Sequence, residues 1–96
     1  MKIGDLKAGM KGVSIEGTIV DKGSTRSFIS RKTGRIVRVA EAKIKDDSGE
    51  IILVLWNKQI NQVDVGDKVR ITNGFVNTYR GNIQLNVGRK GRLEKI

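Results

Sequence analysis

Four aromatic side chains, Phe28, Trp56, Phe75 and Tyr79, are the residues of this 96-residue chain whose type and spacing are most open to a chemical reading. Phe75 and Tyr79 stand four apart with Asn77 between them, so in an extended strand, where side chains alternate, all three share one face. A polar Asn between two rings is a poor core pattern and a good binding surface. The plain alternative is that the rings fill the core, and two observations weigh against it. The chain has 10 Val, 12 Ile and 5 Leu, enough branched aliphatic residues for a small core without any ring. In the run Glu50 to Trp56, the set Ile51, Leu53 and Leu55 suits an interior better than Ile52, Val54 and Trp56, which leaves Trp56 pointing outward. Exposed rings that cluster usually mark a binding site. An unpaired base stacks on such a ring for about 1–3 kcal/mol, and a duplex hides its π faces, so the ligand implied is single-stranded nucleic acid.

Cations to hold its phosphates are present. Between Lys22 and Lys45 lie eight Lys or Arg against Glu41 alone. Arg80, Arg89, Lys90 and Arg92 add positive charge further on, and the whole chain carries 19 basic and 10 acidic residues, a net charge of +9. Such a field attracts polyanions, nucleic acid before acidic membrane or protein surfaces. A charged loop by itself is ordinarily a solvated face; beside a row of exposed rings it reads as a phosphate track.

Other chemistry is poorly served. With no Cys and no His, the chain lacks disulfides, structural zinc sites and the commonest nucleophile and general base. Asp46, Asp47 and Glu50 are too few for calcium, which takes six to eight oxygens, and read as a hairpin turn. Lys90-Gly91-Arg92 is too short for a phosphate-cradling loop and has no helix after it. The expectation is a binding module with no catalytic residues, cofactor or metal. No apolar run approaches the roughly 20 residues that span a bilayer, and Met1 to Asp5 lack the apolar core of a signal peptide. A cytoplasmic, nucleoid-associated address is expected, or a nuclear one in a eukaryote, with no membrane partner.

The elements that must position these residues follow from alternation and turn signals. Val13, Ile15, Gly17 and Ile19 form one face of a first strand, in which Gly17 suggests a bulge or bend. Polar residues from Asp21 to Arg35 read as the flexible basic tip of a long hairpin, whose second strand runs from Ile36 to Lys45. A turn at Asp46 to Gly49 leads to a third strand, Glu50 to Trp56. Asn57 to Val63 fits one or two helical turns with Asn57 as N-cap. Lys68 to Tyr79 gives a fourth strand that must twist or bulge near Asn73-Gly74, since Val69 and Ile71 share the parity of Phe75. After the turn Arg80-Gly81-Asn82, Ile83, Leu85 and Val87 face inward from a fifth strand, and residues 89–96 form a basic tail from which Leu93 and Ile96 could return to the sheet. Three strands, a short helix and two strands describe an all-β, five-stranded Greek-key OB barrel with the helix between strands three and four, occupying residues 1–96 as one domain. An SH3-like barrel shares the length and strand count.

Several passages favour the OB reading. Asp46-Asp47-Ser48-Gly49-Glu50, Leu53-Val54-Leu55-Trp56, Val65-Gly66-Asp67-Lys68-Val69-Arg70-Ile71, Gly74 to Gly81 and Ile83 to Gly88 occur in an order and spacing that resemble the archaeal single-OB-fold single-stranded DNA-binding proteins and their replication protein A-like relatives. The resemblance spans nearly the whole chain and is strongest from Glu41 to Gly88. It implies that Trp56, Phe75 and Tyr79 stack on bases, and that Arg38 or its neighbours and Gln84 touch the strand. Phe28 matches no clear family position, and its stacking role rests on the aromatic reading alone. The expected phosphate and polar contacts are Arg26, Arg31, Lys32, Arg35, Arg38, Ile52, Asn77, Arg80, Gln84 and Arg89. Family members often continue into a flexible Gly-rich tail with an acidic or protein-docking end; this sequence stops at Ile96 ahead of one, so either a tail was trimmed or partners meet the barrel itself.

The expected function is sequence-tolerant binding of single-stranded DNA by a free monomer, alongside replication, recombination or repair proteins. Two alternatives stay open: RNA binding, since stacking ignores the sugar, and an OB subunit that docks acidic protein partners.

Overall fold

Period-two alternation makes the strands, and their apolar sides meet in one core. A computed structural model describes residues 1–96, apart from the side chain of Arg89. After a single 3-10 turn at Ile3–Asp5 come β1 (Val13–Lys22), β2 (Arg26–Ile29), β3 (Ile36–Asp46) and β4 (Gly49–Trp56). The short helix α1 (Gln59–Gln62) precedes β5 (Lys68–Tyr79) and β6 (Asn82–Lys95). Val13, Ile15 and Ile19 of β1 are buried together with Ala40, Ala42 and Ile44 of β3, Leu53 and Leu55 of β4, Val69 and Ile71 of β5, and Leu85 of β6.

The strands run β1-β5-β6-β4-β3, and a further β1–β3 pairing closes the ring. All neighbours are antiparallel except β4 and β6. This is the five-stranded OB barrel expected, with its single helix between the third and fourth barrel strands, β4 and β5. Closure depends on β1, which pairs with β5 from Val13 to Thr18 and with β3 from Thr18 to Lys22. Gly17 sits at this changeover. A Cβ there would fall 2.8 Å from both the Ile44 side chain and the Lys45 carbonyl oxygen, so the glycine permits close approach of two strands rather than an extra residue in one.

The break expected near Asn73-Gly74 is present: the β5–β6 register shifts between Thr72 and Gly74, and Asn73 has a φ of 56°. Parity changes across it, so Val69, Ile71 and Val76 face inward while Phe75, Asn77 and Tyr79 are exposed.

Three local expectations need correction. The segment between β1 and β3 is not a plain flexible tip: Arg26–Ile29 forms β2, paired with Ile36 to Val39, and only Ser30 to Arg35 turn the chain. The segment 89–96 is largely not a tail but the end of β6, where Leu93 packs against the core while Ile96 stays exposed. Asn57 does not cap α1; Lys58 holds that position without a side-chain bond. Asn57 instead takes a left-handed φ of 52°, and its Oδ1 accepts the Arg38 backbone N–H at 3.1 Å.

Asp46 shows why the acidic turn is structural. Its Oδ2 accepts the Ile3 N–H at 2.8 Å and its Oδ1 the Ser48 N–H at 2.7 Å, tying the N-terminal turn to the β3–β4 hairpin. Burial pushes this carboxyl up, but the backbone and hydroxyl donors at Ile3, Ser48 and Gly49 outweigh it and hold it below the usual carboxylate value.

Candidate nucleic-acid interface

The sheet face opposite the core carries the site. Residues paired across strands share a face, and four such rows lie on β3, β4, β6 and β5, the middle two crossing all four strands. Val39 lies opposite Trp56; Glu41, Val54, Asn86 and Phe75 follow in one row; Lys43, Ile52, Gln84 and Asn77 form the next; Tyr79 and Asn82 close the last. The ribbon β2 extends this surface by setting Arg26 opposite Val39 and Phe28 opposite Val37. Phe28 and Trp56 then meet edge to face, with centroids 6.4 Å apart and planes at 83°.

All four rings keep open surface: Trp56 is 36% exposed, Phe75 38%, Phe28 47% and Tyr79 47%. Phe28, Trp56 and Tyr79 surround an open groove of about 490 Å³, whose other walls include Arg26, Glu41, Asn77 and Gln84. Val39 and Val54 are buried beneath it, outside the core cluster. A second hollow of about 650 Å³ continues past Trp56 to Phe75, and Trp56, Asn77 and Asn86 line both. Trp56 therefore stands between two compartments.

The floor between the rings is polar and ordered. The Trp56 indole N–H donates to Asn86 Oδ1 at 3.4 Å, and the Asn86 amide donates to Asn77 Oδ1 at 3.1 Å. Asn86 and Gln84 are buried, so the strand that lines the core on one side presents carboxamides on the other. The end of β4 is fixed as well: the Trp56 backbone N–H donates to Gln59 Oε1 at 3.1 Å, and the Asn57 N–H donates to the Arg38 carbonyl at 2.9 Å. Phe75 lies over Gly88, where an added Cβ would come within 3.2 Å of the ring.

The structure gathers most of the expected residues and separates others. Arg26, Phe28, Trp56, Asn77, Tyr79 and Gln84 line one groove, and Phe75 the adjoining hollow. Arg80, in the β5–β6 turn, lies over the Tyr79 ring at 5.3 Å, close enough for a cation–π contact. Arg31, Lys32 and Arg35 are exposed in the turn beyond β2, at the end of the ribbon. Ile52 faces the same side as the groove but lines a separate depression with Lys43 and Asn82. Arg38 pairs with Ser27 and has the parity of Ala40, so it stands across the ribbon from Phe28 and lines neither compartment. The side chain of Arg89 lies outside the described residues.

Sequence reasoning missed Asn86, Glu41 and Lys11. Asn82, Gln84 and Asn86 alternate with Ile83, Leu85 and Val87, and that polar period opposite a core face is a readable sign of a buried polar floor. Glu41 is visible as the lone acid of a basic stretch. Lys11 joins Phe75 and Lys90 around a further depression through the barrel's closure, and nothing local in the sequence signals it.

The chain resembles known proteins over nearly its whole length. The family model described as single-stranded DNA binding protein Ssb-like, OB fold, matches residues 7–95. The chain is 30% identical over 92 residues to the single-stranded DNA binding protein Ssb of Saccharolobus solfataricus, covering 96% of this chain and 61% of that protein. It thus spans about three-fifths of that relative's length. Among solved structures, the OB domain of Ta0387 from Thermoplasma acidophilum superposes with a TM-score of 0.84 at 29% identity, over 100% of this chain and 85% of that one. The replication factor A related protein from Methanobacterium thermoautotrophicum does so with 0.81 at 26% identity, over 100% and 89%. Fold, exposed rings and sequence likeness lead to one conclusion: the chain belongs to the Ssb-like, OB-fold family of single-stranded DNA binding proteins.

Proposed function

We propose that this chain binds single-stranded DNA with broad sequence tolerance, by stacking bases on Trp56, Phe75, Tyr79 and Phe28 and holding phosphates with the surrounding cations. It acts by binding alone, to protect or present the strand during replication, recombination or repair. The observation that carries the reading is the groove itself, where three half-open rings surround a floor of Val39, Val54 and the carboxamides of Gln84 and Asn86, with Arg26 and Arg80 beside them. A ring offers its face to any base, whereas carboxamides such as Asn77 and Gln84 both donate and accept and so suit every base edge.

The test uses the chain's only tryptophan. Single-stranded DNA, single-stranded RNA and duplex DNA of equal length are titrated against the protein while Trp56 fluorescence is followed. Single-stranded DNA is expected to quench it saturably, and duplex to compete poorly. Trp56 emission indifferent to saturating single strand would remove the reading, and tighter binding of RNA would transfer it to the other nucleic acid.

A further inference from the structure

The groove contains one acid. Glu41 lies opposite Val54, in the row that continues to Asn86, and the next row holds Val39 opposite Trp56. It lines the same hollow as Phe28, Trp56 and Tyr79. Among the described residues its side chain takes one hydrogen bond, from Arg26 Nη2 to Oε1 at 3.2 Å. A carboxylate at this place is at odds with a surface built only to attract a polyanion, since it repels every phosphate that approaches. It suits a base edge instead, because an ionised carboxylate is a pure acceptor.

The geometry points to Glu41 as a base-reading residue, which accepts a hydrogen bond from the exocyclic amino group of a base stacked at Trp56 and so favours cytosine over thymine among the pyrimidines. This inference rests on the nucleic-acid reading of the groove. Cytosine presents N4–H₂, a donor that Asp or Glu can accept. Thymine places a carbonyl oxygen there, beside a single imino N–H, and brings one acceptor against another.

The Arg26–Glu41 pair does not block this role. It is a single contact with both side chains substantially exposed, and such pairs are worth little. A phosphate can take over Arg26 while the base amino group replaces it on Glu41, and neither charge loses its partner. Gln84 in the same groove carries both donor and acceptor and does not discriminate. The structure thus combines tolerant stacking with one selective contact.

Equal-length oligodeoxycytidine and oligothymidine, matched pyrimidines titrated above neutral pH where cytosine is unprotonated, test this through Trp56 fluorescence in wild type and Glu41→Gln. Wild type is expected to bind the cytosine strand about tenfold more tightly, the ratio that one hydrogen bond to an ionised group supports. Glu41→Gln is expected to bind both about equally, since its amide can accept from N4 or donate to O4. An oligonucleotide of N4,N4-dimethyl-2′-deoxycytidine, which lacks the donor, is expected to lose the preference with wild-type protein, and this arm needs no variant. If Glu41 merely repels the strand, Glu41→Gln tightens both oligonucleotides by one factor and the ratio persists; that result overturns the inference. A wild-type ratio near one overturns it too. Wild-type protein quenched by neither oligonucleotide removes the binding reading itself and this inference with it.

Discussion

At the scale of single residues, the distinction that matters is between side chains that hold the barrel and side chains that it leaves open. Leu53 and Leu55 are completely buried, whereas Trp56, next in the strand, is 36% exposed. Substitution separates the two kinds. Trp56→Ala, Phe75→Ala and Tyr79→Ala are each expected to weaken single-strand binding by about 1–3 kcal/mol while melting close to wild type. Leu53→Ala, at a core position, is expected to lose about 2–5 kcal/mol of stability. Titration and thermal melting on the same four proteins check this, and ring variants that bind normally but melt early would return the rings to the core. Parity within Glu50 to Trp56 makes the outward turn of Trp56 legible from the order of residues alone. Arg38 is not legible in the same way: its place among the contacts follows from resemblance, whereas its side is set by pairing with Ser27 on a strand that the sequence does not reveal.

At the scale of elements, the tightest device is the β5–β6 turn. Tyr79 pairs with Asn82, leaving a two-residue loop of Arg80 and Gly81 with φ of 52° and 82°. Positive φ at both positions is the type I′ hairpin geometry, which favours Asn-Gly, and a long side chain such as Arg is held there at some cost. Arg80→Asn should therefore raise stability by about 0.5–1 kcal/mol while removing the guanidinium from Tyr79 and weakening binding. Melting and titration moving in opposite directions would show that Arg80 is kept for the ligand; a variant neutral in both would assign it no role. Of the five barrel strands, β1, β3, β5 and β6 are readable from alternation of core and polar residues, and β4 from its dense apolar and β-branched run, Ile51 to Trp56. β2 carries no such pattern, since Arg26–Ile29 are all exposed, and its order comes from backbone pairing with β3. Asn57 departs from its expected role for a related reason: its preference for a helix N-cap is local, and the hydrogen bond to the distant Arg38 backbone wins.

At the scale of the whole molecule, the chain carries a net charge of +9, and the cations beside the ring-bearing face come from distant parts of the sequence. Arg26 stands at one side, Arg80 beside Tyr79, and Lys11 and Lys90 beyond Phe75. Counterion release from the strand should then dominate affinity, with log K falling against log salt by about 0.7 for each phosphate held. Titrations across salt concentrations measure that slope; a flat response would take the cations off the strand's path. The barrel that joins these residues is closed by β1, and this has a consequence for how the chain reaches its fold. Val13 finds its partner only at Gly74, and Gly17 only at Val69. At about 5–20 residues per second on the ribosome, β1 is made seconds before the strand that covers it. During that interval its apolar face is uncovered and its unpaired backbone edge is open to other chains. Gly17 interrupts the face midway, and a glycine weakens a strand that stands alone. The residue that makes room for Ile44 in the finished barrel also makes the first strand a poor template for aggregation while it waits.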